Sequence, residues 1–222
     1  MEVLFTILVL ILSVIIHEVA HGYAALWQGD PTAKYAGRLT LDPIKHLDLV
    51  GSIIVPALLI ILPTNFILGW AKPVPINPYN FRDQKWGEAK VSFAGPLSNI
   101  LIALLFGLLI RLGLQVGFLD LSGQAVIIMG LIVLINLVLA IFNLIPIPPL
   151  DGSKILFAFL PMDFSRARLV LEQYGLLILF LALFVFGTVL FGIINIALMW
   201  GFTLATGEPN LLGKVIETFF SF

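Results

Sequence analysis

The sequence predicts an all-α polytopic membrane protein, with about five to six transmembrane helices and a small extended or β segment associated with the membrane. Three observations carry that prediction. Hydrophobic residues make up 60% of the 222 residues and charged residues 11%, whereas a soluble domain is about half apolar and about a quarter charged. The mean hydropathy is +1.09. The apolar residues also fall into runs long enough to cross a bilayer, parted by stretches rich in Gly, Pro and charge.

Composition narrows the chemistry as well. A net charge of −1 offers no attraction for nucleic acid, and no nucleic-acid partner is expected. The absence of cysteine removes disulfides and thiolate metal ligands, leaving His and carboxylates as the strong choices. The first apolar run has no basic segment before it and outlasts a signal peptide, so it reads as a retained helix. No internal repeat of the transporter kind is visible. The expected organisation is a single membrane-embedded domain over 1–222, with a motif-bearing core at about 5–160, C-terminal helices over 172–206 and an amphipathic tail over 208–222.

Taken in order, Leu4 to Trp27 is long enough at about 1.5 Å per residue to span with some tilt. Gly29-Asp30-Pro31 stops it. Residues 50–68 are apolar but hold Pro56 and Pro63, which suits a helical hairpin or a kinked span. Gly69 to Pro78 carries Pro73, Pro75 and Pro78, favouring extended backbone. Val91 to Leu112 is the next span, opening with the small residues Ala94, Gly95 and Ser98 that permit close helix contact. Ala125 to Ile145 follows, closed by Pro146, Pro148 and Pro149. Ile155 to Leu160 reads as a half-helix or the start of another span. Leu176 to Thr206 exceeds one straight crossing, so a tilt or a break near Gly187 or Gly192 is expected. Paired apolar residues at 211/212, 215/216 and 219/220 suit an amphipathic helix, either on the membrane surface or packed on the protein.

Lys and Arg gather in three clusters: Lys34, Arg38 and Lys45; Lys72, Arg82, Lys85 and Lys90; Lys154, Arg166 and Arg168. If 50–68 does not cross, all three share one side, and the positive-inside rule turns the Trp27 end of the first helix toward the cytoplasm. The expected location is a cell membrane of bacterial or archaeal type, crossed several times.

The chemistry lies in Ile16-His17-Glu18-Val19-Ala20-His21-Gly22. His17, Glu18 and His21 are the only charged or imidazole side chains between Leu4 and Trp27. Each such group costs about 2.5–3.5 kcal/mol at mid-membrane on insertion scales, so three together need a reason. On a helix His17 and His21 stand about 40° apart, one turn above the other, and both rings can reach one metal ion. Glu18 lies close enough to act on water at that metal. Catalytic zinc takes three protein ligands and keeps one position open. The third ligand could be His46, in a polar loop, or the stronger candidate Asp151, which follows the proline-broken run Asn143 to Leu150. Such backbone is tolerated at membrane depth where it is buried in protein or lines a water-filled cavity.

With these residues in place, the chain resembles the site-2 proteases, a family of intramembrane zinc metalloproteases. His17-Glu18-x-x-His21 followed by Asn143-x-x-Pro146-x-Pro148-x-x-Asp151-Gly152 is similar to the family's paired signature. Gly95-Pro96-x-x-Asn99 resembles the motif of its core helix, and Gly69 to Pro78 its membrane-associated β-structure. The resemblance implies His17, His21 and Asp151 as ligands of one catalytic zinc ion, Glu18 as catalytic base and Asn143 as an active-site residue near substrate. It also implies an endopeptidase acting within or near transmembrane segments in regulated intramembrane proteolysis, with the lipid bilayer and a substrate bearing a transmembrane helix as partners. Membrane-bound regulators are the substrates the family implies. Blander readings stand beside this one. The His-Glu-His turn could pack polar groups against a neighbouring helix, Asp151 could cap a helix, and Asn143 could satisfy a freed backbone group. The whole chain could be a zinc-binding scaffold without proteolysis, or a transporter.

Overall fold

A computed structural model describes residues 2–48, 51, 54, 71–161 and 165–220. Its elements follow the apolar runs, and Gly and Pro clusters end them. Helix α1 spans Glu2–Trp27, and a left-handed turn at Gly29, φ 104°, ends it. Helix α2 is a single turn, Thr32–Tyr35, and a 3-10 turn covers Pro43–His46. Helix α3 spans Gly87–Gln115 and α4 spans Gln124–Asn143. The prolines then break the chain before α5, Asp151–Phe159. Helix α6 is Ser165–Gln173, α7 is Gly175–Thr206 and α8 is Leu211–Phe220.

Four of these helices, α1, α3, α4 and α7, are long and apolar enough to cross a membrane. The chain is an all-α membrane protein. The expected five to six crossings are four among the described residues. Helix α5 has 9 residues, about 14 Å, which is half a crossing. Helix α7 runs unbroken for 32 residues, so of the tilt or break expected near Gly187 or Gly192, no break is found. Whether 50–68 crosses lies outside the described residues. The described segments on either side of it meet at one end of the bundle, where Arg82 N–H donates to Gln28 O at 2.7 Å.

Helix α3 is the centre, packed against α1, α4, α5 and α7. Its buried face carries Ser92, Gly95, Asn99, Ala103 and Gly107, small residues at helical spacing that let neighbouring backbones approach. A Cβ on Gly107 would lie 2.7 Å from the backbone of Ala205 in α7. Helix α1 meets α3 through a stripe at every fourth residue: Val9, Ser13, His17, His21 and Ala25. The main apolar core joins Val9, Ala103, Ile110, Val126, Leu131, Phe202 and Leu211. Helix α8 closes one side of it. Its Leu211, Val215 and Phe219 are buried, and Phe219 stacks near Phe5 with ring centroids 6.4 Å apart. Of the two readings of this tail, packing against the protein is the one observed.

The segment 71–77 has no regular secondary structure, its last residue Asn77 is extended, and no β-ladder forms among the described residues. The expected β-structure is therefore not observed there, and the segment is an irregular strap. Gly69 and Trp70 lie outside the described residues. The strap is anchored by its own backbone: Lys72 N–H donates to His46 O at 2.9 Å, Arg38 Nη2 donates to Lys72 O at 2.6 Å, and Asn77 N–H donates to Asp30 Oδ2 at 2.7 Å.

Candidate metal centre

The fourfold spacing of the α1 stripe turns two imidazoles, one helical turn apart, toward α3. His17 and His21 are 6% exposed, and their rings stand edge to face, 4.7 Å between centroids. Gly95 makes room for both. A Cβ there would lie 2.5 Å from His17 Nε2 and from His21 Nε2. One residue on, Pro96 lacks the N–H that would continue the ladder of α3. The proline-broken run after α4 brings in the third group. Gly152 lets the first turn of α5 press on the carbonyl of Leu144, and Asp151 heads that turn.

The three side chains converge on one point. His17 Nε2 and His21 Nε2 are 3.1 Å apart, and each lies 3.1 Å from Asp151 Oδ2. The opposite ring nitrogens decide what that convergence means. His17 Nδ1 lies 2.6 Å from Asn99 Oδ1, and His21 Nδ1 lies 2.7 Å from the Val91 carbonyl. Both partners accept, so each Nδ1 carries a proton and donates it. A neutral imidazole protonated at Nδ1 has only a lone pair at Nε2. Two such lone pairs and a carboxylate oxygen therefore face one another with no proton between them, an arrangement that calls for a cation. Tetrahedral zinc with ligands at about 2.0–2.1 Å separates its ligand atoms by about 3.3–3.4 Å, within a few tenths of the observed triangle. The donor set also suits zinc, which accepts imidazole nitrogen and carboxylate oxygen. These are the only His, Asp and Glu side chains among the described residues grouped closely enough to hold a metal ion.

Glu18 is half-buried beside this group. Its Oε2 accepts the N–H of Val74 at 2.8 Å, so the strap runs directly past it. Asp30, fully buried just beyond α1, fastens the strap. Burial pushes its carboxyl up, but bonds from Asn77, Thr32 and Asn80 outweigh that and hold it below the usual carboxylate range. At the start of α3, Arg168 of α6 donates to both carboxylate oxygens of Glu88 at 2.6 Å and pairs with Glu172 at 2.7 Å.

His17, His21 and Asp151 are thus brought together, with Glu18 adjacent. Asn143 ends α4 with its Nδ2 donating to Leu139 O at 2.9 Å, and among the described residues no hydrogen bond joins it to the cluster. His46 is not part of the cluster either. It is 2% exposed, with Nε2 at 2.8 Å from Thr40 O. Asp151 does not cap α5. The residue before it, Leu150, is the N-cap, without a side-chain bond. Two residues that sequence reasoning passed over stand behind Asn99: Asn136 of α4 and Ser13 of α1.

Comparison with known proteins places the chain. Residues 117–186 match the pattern of Peptidase family M50. The Bacillus subtilis protein named "Putative zinc metalloprotease YwhC" is 39% identical over 184 residues, covering 82% of this chain and 80% of that one. The Mycobacterium tuberculosis protein named "Putative zinc metalloprotease Rip2" is 31% identical over 218 residues, covering 95% of this chain and 78% of that one. Its Mycolicibacterium smegmatis namesake is 32% identical over 170 residues, covering 76% of this chain and 62% of that one. No solved structure matches. A buried His-His-Asp group and relatives that share most of their length with it lead to one conclusion: the chain belongs to peptidase family M50, the site-2 protease family.

Proposed function

We propose that this protein is a zinc-dependent intramembrane endopeptidase, hydrolysing peptide bonds within or near the transmembrane segments of other membrane proteins. The observation that carries the reading is the convergence of three lone pairs from His17, His21 and Asp151, with both Nδ1 protons already committed elsewhere. Zinc held by these three groups supplies a Lewis acid for the scissile carbonyl and for water. Glu18 is the base. It takes a proton as the water oxygen bonds to the carbonyl carbon, then gives that proton to the amine nitrogen as the C–N bond breaks. The Val74 N–H orients the carboxylate for this work.

The strap has a second use. A helix in lipid hides its peptide groups in its own hydrogen bonds, so a substrate must unwind before its carbonyl can be reached. The strap at 71–77 offers an unwound segment those main-chain groups not already bound to His46, Glu18, Arg38 and Asp30, in the manner of an added strand. Asn143, half-buried at the start of the proline-broken run, is placed in this reading near substrate.

The orientation follows from charge. Loops 28–48 and 71–86, with Lys34, Arg38, Lys45, Lys72, Arg82 and Lys85, gather at the end of α1 and α3 nearest the metal centre, together with Lys90 in the first turn of α3, and Arg168 joins them through Glu88. By the positive-inside rule that end faces the cytoplasm of a multi-pass plasma-membrane protein. Purified wild type and Glu18→Gln, each given a single-span membrane substrate in detergent, test the reading. The wild type cleaves, and Glu18→Gln keeps its zinc but loses cleavage by at least about 100-fold. Equal cleavage by the two overturns the assignment.

A further inference from the structure

We propose that Asn136 is a positioning residue for the metal centre. Acting through Asn99, it fixes the His17 tautomer that leaves the Nε2 lone pair facing His21 and Asp151. The proposal rests on the reading of His17 as a metal ligand. Asn136 lies in α4, fully buried, and touches no ligand itself. Its influence comes from the direction in which hydrogen bonds must run.

The series starts at a backbone carbonyl. Asn136 Nδ2 donates to Ile132 O at 2.9 Å and to Ser13 Oγ at 3.0 Å. A carbonyl cannot donate, so the amide of Asn136 has one orientation, and its Oδ1 faces Asn99. Asn99 must then present its Nδ2, which donates to Asn136 Oδ1 at 2.8 Å and reaches Ser13 O at 3.4 Å. That turns Asn99 Oδ1 toward His17 Nδ1, 2.6 Å away. An acceptor there keeps the ring proton on Nδ1. Were Asn99 reversed, its NH2 would face His17 and the ring proton would sit on Nε2, 3.1 Å from His21 Nε2 and Asp151 Oδ2, where it blocks ligation. His21 needs no such series, because the Val91 carbonyl accepts from it directly. The two histidines thus reach the same tautomer by different means: one from a backbone acceptor, the other through two side-chain amides carried by two helices.

An asparagine buried in an apolar helix also serves simple packing, since its bonds to α1 and α3 join three helices. Metal dependence separates the two roles. The full-length protein in detergent is stripped of metal and reloaded. Zinc affinity is measured by chelator competition, and thermal unfolding with and without zinc, for wild type, Asn136→Leu, Asn136→Ala, Asn136→Asp and Ser13→Ala. Loss of the acceptor in Asn136→Leu and in the smaller Asn136→Ala weakens zinc binding by about tenfold or more and shrinks the zinc-induced rise in Tm. A neutral carboxyl in Asn136→Asp offers the same acceptor to Asn99 and donor to Ile132 O, so it restores affinity to within about threefold. Ser13→Ala, which leaves both amides in series, stays within about twofold of the wild type. Wild-type affinity and a full zinc-induced rise in Asn136→Leu or Asn136→Ala, whatever their metal-free Tm, overturn the proposal and leave Asn136 a packing residue. A wild type that binds no zinc overturns the metal reading, and this proposal with it.

Discussion

The crossing of α1 and α3 and the outer part of α7 are made of the same material, apolar helix long enough to span a bilayer. They use it in opposite ways. At the crossing the helices touch through small residues, and the space so released is filled by His17, His21, Asn99 and Asn136, each with hydrogen-bond partners. Along α7, Phe184 is 90% exposed and Gly192 has nothing within 4 Å of where a Cβ would be. Only toward its C-terminal end does α7 join the core, through Leu198, Phe202 and Ala205. Hydropathy passes all three helices as candidate spans. What distinguishes the two regions is whether polar groups buried at membrane depth find partners, since an unmatched one costs several kcal/mol there.

The contrast can be broken at a pair of glycines. Gly95→Ala places a methyl group 2.5 Å from both Nε2 atoms, and zinc affinity should fall by about 100-fold or more as the rings are pushed apart. Gly192→Ala meets open space, and the gain in helix propensity should change stability by no more than about 1 kcal/mol, with zinc affinity unchanged. Chelator competition and thermal unfolding read both. Equal effects at the two positions would erase the distinction between them.

A smaller effect sharpens the contrast at its edge, where the strap is tied to α1. Asp30 is held below the usual carboxylate range by its hydrogen bonds. The sign is that of a depressed carboxylate: its stabilisation is full above the unfolded value of about 3.9, and is lost as pH falls through the lower folded value. The Tm difference between wild type and Asp30→Asn should therefore be constant from neutral pH down to about 4 and narrow below it. A difference that grows on acidification would contradict the assigned bonds.

The legible part of this molecule in its sequence is the part set by local periodicity and by order. The four-residue spacing of His17 and His21 is about one helical turn, so their shared face could be read directly. Asp151 stood out because few acids interrupt the apolar second half, and because prolines mark where irregular backbone could carry it inward. The tail was legible as amphipathic, but the same spacing of Leu211, Val215 and Phe219 serves a membrane surface or a protein core, and only the packed structure chooses. The absence of a regular helix over 71–77 was legible from its prolines, whereas strand pairing needs a second strand that local sequence does not announce. Asn136 was hardest to see. An asparagine in an apolar run has meaning only through the neighbours that α1 and α3 bring to it, and Asn143, beside the prolines, drew attention instead.

The central claim is that His17, His21 and Asp151 together hold one metal ion. Zinc content per chain, measured on purified wild type, Asp151→Asn and Glu18→Gln, tests it most directly. The account predicts about one zinc in wild type and in Glu18→Gln, and under about a tenth of that in Asp151→Asn. Full zinc content in Asp151→Asn, with the protein still folded, would contradict it.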